Sequence, residues 1–340
     1  MKEGRICKWD NAKGLLIICV VIGHLSYGFA SGSFVLSRLQ LWIYSFHMPA
    51  FFYLSGMFSK KTVRERRWSR IAGYLLLFLT MKVLEYGSSV FAFGREHASF
   101  SLLYEDGVPW YAMAVCICLA VTVFVRGAKP VFVLAAAVAV SVLTGYKEQH
   151  SALLTLERTA VFYPFFYLGY LTEEEKAGAF FSRKGIRAAG AVVLILSAAA
   201  AVLFYPRLEN WILIFRGRYT WKEIGISGPL PAGAGMRLLA YAVSLLTAGA
   251  VLAATPERFL KLLTPLGQST LAVYALHDPL DRCILAPRFP VRGFIGSGHT
   301  AVKCLILSLA VTLFTSLPVF KRLFSLIMNL PGQIARQIKK

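Results

Sequence analysis

The sequence predicts an all-α polytopic integral membrane protein with about ten transmembrane helices and both termini cytoplasmic. Three observations lead there. Apolar residues make up 57% of the 340 positions and charged residues 16%, against roughly 45–50% and 25% in soluble domains. Ten apolar stretches approach the roughly 17–25 residues that a bilayer span requires. Lysine and arginine are also distributed unevenly between alternate connections, as the positive-inside rule requires. The 37 basic residues against 17 acidic, a net charge of +20, are accounted for by cytoplasmic loops lying on anionic lipid, so no nucleic-acid partner is expected.

The first apolar run, about 14–30, follows Lys2, Arg5, Lys8 and Lys13. A cleaved signal peptide has a similar look, and the small residues at 30–33 would suit its cleavage site. His24 has no use in a signal-peptide core, however, and many spans follow, so the run reads as an uncleaved first helix. The remaining runs cover about 40–58, 71–92, 110–126, 130–145, 158–171, 186–205, 236–254, 266–286 and 301–320. The sixth is short. The ninth carries His277, Asp278, Asp281 and Arg282, which need protein-lined or wet surroundings. With the N-terminus inside, the inner segments hold more than twice as many Lys and Arg residues as the outer loops. Beyond Lys321, apolar and basic residues alternate and the pattern breaks at Pro331. That predicts an amphipathic helix over 321–340 on the inner surface, within a single domain spanning 1–340. The six cysteines lie mostly within apolar runs and lack the spacing of zinc ligands or of a disulfide framework.

Ionisable groups at membrane depth are costly and therefore functional candidates. At 1.5 Å per residue, His24 lies roughly 15 Å from the inner end of its helix. By the same counting His47, His277 and Lys82 reach about that layer. For His47 and His277 a purely structural role, tying packed helices together, competes with a chemical one. Lys13 and His24 are eleven residues apart, close to three full helical turns, and so share one face. A cation at the cytoplasmic mouth can attract an anionic cosubstrate while a neutral imidazole deeper in takes a proton. Asp10 either holds Lys13 or marks an ordinary charged helix start.

Lys60, Lys61, Arg64, Arg66, Arg67 and Arg70 fall close together after the second run. They suffice to bind the phosphates of coenzyme A, although topology alone predicts such a loop. An extended pantetheine arm is comparable in length to the roughly 15 Å that separates this surface from His24. On the outer side, the stretch 206–235 mixes Trp211, Phe215, Tyr219 and Trp221 with charged residues, a composition that suits sugar rings and equally an interfacial aromatic belt. Lys82 and Glu85, at i and i+3, form either a self-neutralising pair or part of the site. The chain lacks a G-x-S-x-G elbow, an H-E-x-x-H pair and a Walker loop.

The run WDNAKGLLIICVVIGHL (Trp9 to Leu25), followed by FHMPAFFYLSGMFSKK (Phe46 to Lys61), resembles the membrane acyltransferase-3 family. Members of that family are O-acetyltransferase-like polytopic proteins that transfer acyl groups to sugars of surface polysaccharides and related acceptors. WYAMAV (Trp110 to Val115), RTAVFYPFFYLGYL (Arg158 to Leu171) and LGQSTLAVYALHDPL (Leu266 to Leu280) continue the likeness in order. The resemblance implies that Lys13 and His24 are the family's basic-x10-His motif, with His24 as the catalytic base. It implies an Arg-x-x-Arg pair at Arg64/Arg67 or at Arg67/Arg70, and a supporting role for Arg158. Lys13 stands where Arg is common and supplies charge without a bidentate fork. Gly73-Tyr74 replaces the family's Pro-Tyr, so both Arg pairs stay open.

The resulting expectation is a membrane O-acyltransferase of the cell membrane. It moves an acyl group, taken to be acetyl, from cytoplasmic acyl-CoA to a hydroxyl of an envelope glycan or lipid-linked sugar. His24, Lys13, Asp10, Arg158 and His47 form the expected catalytic group; Arg64, Arg67, Arg70, Lys60 and Lys61 bind the CoA; Trp211, Tyr219, Trp221 and His277 meet the acceptor. Membrane lipid is a further partner, and neither a metal nor a permanently bound cofactor is expected. A transporter or exporter of a small polar solute is the rival reading, because a polar layer open to both sides serves a moving solute as well. A structural lipid-binding scaffold is the third.

Overall fold

The computed structural model describes residues 7–226 and 230–338; Lys2 and Arg5 lie outside them. The described residues are helical or irregular, with no strand and one isolated antiparallel bridge between Tyr104 and Leu153. All ten apolar runs fall on helices. The long ones are α1 (Cys7–Leu25), α2 (Phe34–Met57), α3 (Trp68–Phe93), α4 (Trp110–Val125), α5 (Pro130–Leu143) and α6 (Leu156–Leu171). Then come α7 (Lys184–Leu203), α8 (Leu230–Ala254), α9 (Thr270–Ile284), α10 (Thr300–Thr315) and α11 (Pro318–Ile338). Local chemistry fixes several ends: the Ser33 hydroxyl caps α2 by accepting from the Leu36 N–H, and Pro130 opens α5.

By length and composition, four segments are able to cross a bilayer: 7–28, α3, α7 and 231–254 of α8. A fifth is the pair α10 and α11, bent by 62°. The other runs fall short for physical reasons: α4 and α6 have 16 residues, α9 15 and α5 14, while the longer α2 is diluted by Ser37, Arg38, Gln40, Ser45, His47 and Pro49.

The first helix begins earlier than its apolar run and ends earlier too. Lys8, Asp10 and Asn11 are buried, because the segment 255–268 supplies partners for them. Lys8 Nζ donates to the Thr255 carbonyl (2.7 Å), Asn11 Nδ2 donates to the carbonyls of Pro256 and Arg258, and the Thr264 hydroxyl donates to Asn11 Oδ1. His24 consequently sits in the last turn of α1 and not at its middle. Glycines let the backbones touch here: a Cβ at Gly14 would overlap the Leu263 carbonyl, and one at Gly267 would overlap that of Asp10. The same reciprocal device joins α2 to α6, where Gly56 faces the Phe166 carbonyl and Gly169 that of Tyr53.

Three further boundaries differ from expectation. The ninth run is broken at Ser269 into a short helix, Leu263–Gln268, and α9. The stretch 206–235 contains the helices Tyr205–Leu208 and Trp211–Arg216 and the start of α8, so it is only partly a loop. Helix α11 continues through Pro331, since Phe324 and Met328 are buried against α3, where Gly73 admits the Met328 carbonyl. Its other side exposes Val319, Leu323, Leu326, Leu330 and Ile334, an apolar stripe at helical spacing.

At one end of the bundle, connections interlock into a cap. Glu105 N–H donates to the Ala152 carbonyl, Trp221 N–H to that of Gly145, and Lys147 pairs with Glu157 at 2.7 Å. The opposite end carries Lys13 and the basic cluster.

Candidate active site

A cavity of about 320 Å³ runs through the bundle, within the range of small-ligand sites. Lys13, Ser59, Thr62 and Arg70 line it at the basic end; His24, Val108 and Trp110 line it toward the cap. Lys13, Ile17, Val20 and His24 all face it, the i, i+4, i+7, i+11 pattern of one helix face. The side walls include Phe51, Tyr74, Tyr111 and Tyr274. Lys13 is held by Asp10 at 2.9 Å, and Gln268 donates to the other Asp10 oxygen. Asp10 thus orients Lys13; fourteen residues along the helix, or roughly 21 Å, separate it from His24.

Three histidines meet at the cap side of the cavity. The His24 ring lies edge-on to that of His277, with centroids 5.2 Å apart. His47 packs edge-on against Tyr44 at 4.8 Å. A carbonyl can only accept, so His47 Nδ1 carries its proton and donates to the Ile43 carbonyl at 2.8 Å. His277 Nδ1 likewise donates to the carbonyls of Val273 and Tyr274, both at 3.0 Å, which leaves its buried Nε2 without a partner. Both rings are tied to their own helices. His24 is the one that lines the cavity and is half-buried.

Arginines surround this layer. The Arg158 guanidinium stacks on Trp110 at 3.9 Å, and its Nε donates to the Arg216 carbonyl at 3.3 Å. Arg216 lies over the rings of Tyr27 and Tyr44 at 4.6 and 5.2 Å. Both guanidiniums act electrostatically on His24 and His47. Arg216 and Tyr44 were not singled out in the sequence as site residues. Tyr44, three positions before His47 on one helix, was legible by spacing; Arg216 was not, because its approach to α2 depends on how the Trp211–Arg216 helix folds back.

The remaining candidates separate. Of the basic cluster, only Arg70 lines the cavity. Arg67 pairs with Glu65 on the surface, Arg64 and Lys61 are exposed, and Lys60 faces Glu173 and Glu175. Burial pushes the Lys60 ammonium below its ordinary range, an effect that Glu173 opposes. Trp221 is buried against Tyr146 with the Arg237 guanidinium over its ring, so it offers no open face. Trp211 lines a separate apolar cavity of about 410 Å³, together with Trp42 and Ser197. Tyr219 stays at the cap, where it packs against His150 and Arg218. His277 joins His24 and not the aromatic stretch. Lys82 binds Glu105 at 2.6 Å, while Glu85 pairs mainly with Arg282, itself held by Asp278. That chain of two cations and three carboxylates pairs every cation and pins α3, α9 and the cap together.

An all-helical bundle with spans able to cross a bilayer, holding a largely apolar cavity with Lys13 and Arg70 at one end and His24 at the other, defines a membrane protein with an internal site. The chain matches the acyltransferase-3 family, described as an acyltransferase domain, over residues 8–317, and it belongs to that family. Membership supports acyltransferase activity at a membrane. No curated protein and no solved structure shows significant similarity to the chain.

Proposed function

We propose that the protein transfers an acyl group, acetyl in the first instance, from cytoplasmic acyl-CoA to a hydroxyl of an envelope sugar or glycan. In this reading it sits in the cell membrane as one domain of about ten membrane segments, several of them short, with both termini cytoplasmic. The observation that carries the proposal is the single cavity shared by Lys13 and His24. Eleven residues of helix, roughly 16 Å, separate them, which suits an anionic cofactor head at one end and a thioester at the other.

The CoA phosphates rest on Lys13 and Arg70, and the pantetheine arm follows the cavity to His24. The neutral imidazole accepts the proton of the acceptor hydroxyl as the oxygen attacks the thioester carbonyl. Arg158 stabilises the oxyanion of the tetrahedral intermediate. That intermediate collapses with cleavage of the C–S bond; the CoA thiolate leaves, and the proton on His24 returns to it or to water. His47 and His277, anchored by Nδ1, hold the walls of the site.

The test is release of free CoA from acetyl-CoA by the purified protein in the presence of a sugar acceptor. His24→Gln keeps a hydrogen-bonding side chain but takes no proton, so turnover should fall by about 10²–10⁴ while acetyl-CoA still protects against thermal unfolding. Near-native turnover in that variant removes His24 as the base. Solute flux without CoA release, in either protein, favours a transporter.

A further inference from the structure

Arg158 and Arg216, joined by the bond from Arg158 Nε to the Arg216 carbonyl, stand near His24, and Arg218 joins them on the cap side of Arg158, with too little negative charge to match the three. Arg158 feels both other guanidiniums, opposed by Asp106. Asp106 approaches Arg218 at 3.4 Å but is shared with His150 at 3.6 Å. Glu223, the other nearby acid, is spent on His150 (2.6 Å) and on the Thr220 N–H and hydroxyl. Glu105, which also feels Arg158, is bound to Lys82. Arg216 meets the Tyr27 and Tyr44 phenols where a carboxylate would be expected. Arg218 keeps a buried Nε with no partner. Three half-buried cations held together against one shared carboxylate are unfavourable unless another anion joins them, and guanidiniums favour phosphate and carboxylate because their forked donors match those oxygens.

We propose that these arginines form an anion subsite for the acceptor, so that the substrate hydroxyl belongs to a molecule carrying a phosphate or carboxylate close to the reacting sugar. This inference deepens the acyltransfer reading and rests on it. The subsite lies on the cap side of His24, whereas Lys13 and Arg70 line the opposite end of the cavity; two anionic groups, one from each substrate, are thereby kept apart on either side of the base. Arg158 faces both, against Trp110 at the cavity wall and against Arg216 in the cluster, which couples binding of the acceptor anion to stabilisation of the oxyanion.

The experiment is protection of the purified protein against thermal unfolding, with glucose, glucose 1-phosphate, glucuronate and dodecyl phosphate as probes. Glucose 1-phosphate or glucuronate should protect where glucose does not, and high salt should weaken the effect. Arg216→Gln and Arg218→Gln should remove that protection, while Arg70→Ala keeps it and Arg216→Lys retains part of it. Stronger protection by dodecyl phosphate than by glucose 1-phosphate assigns the anion to a lipid head; equal or weaker protection assigns it to a free sugar acid or phosphate. Because Arg216 packs between two tyrosines, Arg218→Gln and the salt dependence carry the test if Arg216→Gln does not fold. Lack of protection by every anionic probe overturns the subsite, as does protection that survives Arg218→Gln but is lost in Arg70→Ala. Acetyl-CoA protection is measured in parallel, so loss of the acyl-CoA reading is seen separately from loss of the anion subsite.

Discussion

His24, His47 and His277 share one layer, yet their hydrogen bonding divides their work. A ring whose Nδ1 is committed to a carbonyl on its own helix is fixed in tautomer and direction, as His47 and His277 are, whereas the His24 ring borders the cavity directly. The basic cluster divides in the same way. Arg70 lines the cavity, Arg67 is paired with Glu65, and Arg64 is exposed. Arg70→Ala should therefore raise the KM for acetyl-CoA by about tenfold or more, the scale of a charge-assisted hydrogen bond, while Arg64→Ala and Arg67→Ala change it little. Steady-state kinetics on the three variants decides; an equal rise in all three would mean that the cluster acts as a diffuse field. The Lys13–His24 face was readable because eleven residues on a continuous helix fix both ends of the argument. Trp211 and Trp221 were not, because nothing in a local pattern tells which side of a folded-back connection an indole packs on.

At the scale of elements, the helices follow from the apolar runs and their contacts follow from glycine. The α2–α6 crossing holds His47 and Arg158 on opposing helices, and it is set by Gly56 and Gly169, each seated on a backbone carbonyl of the other helix. Gly56→Leu inserts a side chain where a carbonyl already lies, so the helices must separate. We expect a loss of about 1–3 kcal/mol or more, the cost of overpacking, and a fall in turnover as the histidine layer loosens. A melting curve in detergent read beside CoA release checks this; unchanged melting would show that the crossing adapts. Sequence periodicity placed helices over all ten runs. It missed the early start of α1, because burial of Lys8 and Asn11 depends on carbonyls some 245 residues away, and it broke the tail at Pro331, where packing on α3 carries the helix through. The cap has its own acid limit. Burial raises the Glu223 carboxyl, but the Thr220 N–H and His150 outweigh it and hold it at about 2. A depressed acid contributes above its unfolded value, near 4.3, and loses that contribution as pH falls toward 2. Cap contacts at Glu223 should thus persist through mildly acidic pH, as hydrogen exchange of the Thr220 amide would report.

For the whole molecule, the two ends differ in a way that orientation must explain. One end presents Lys60, Lys61, Arg64 and Arg67 beside α11, whose exposed apolar stripe and Lys321, Arg322 and Arg336 suit an anionic lipid surface. The other is a closed cap whose surface connections are tied together by ion pairs, Lys147 with Glu157 and Lys222 with Glu148, and by the His150–Glu223 contact. Orientation follows the count of Lys and Arg in short connections, to which acids contribute little, so the end that gathers the basic cluster belongs on the inner face. We therefore expect Lys222, exposed at the cap, to face outward. In a background where the partly exposed Cys7, Cys116 and Cys283 are serine, Lys222→Cys should react with a membrane-impermeant maleimide on intact cells. A cysteine replacing exposed Lys61 should react only after permeabilisation. The reverse pattern would place the cavity's Lys13 end outside, away from cytoplasmic acyl-CoA, and the direction of acyl transfer argued above would fall with it.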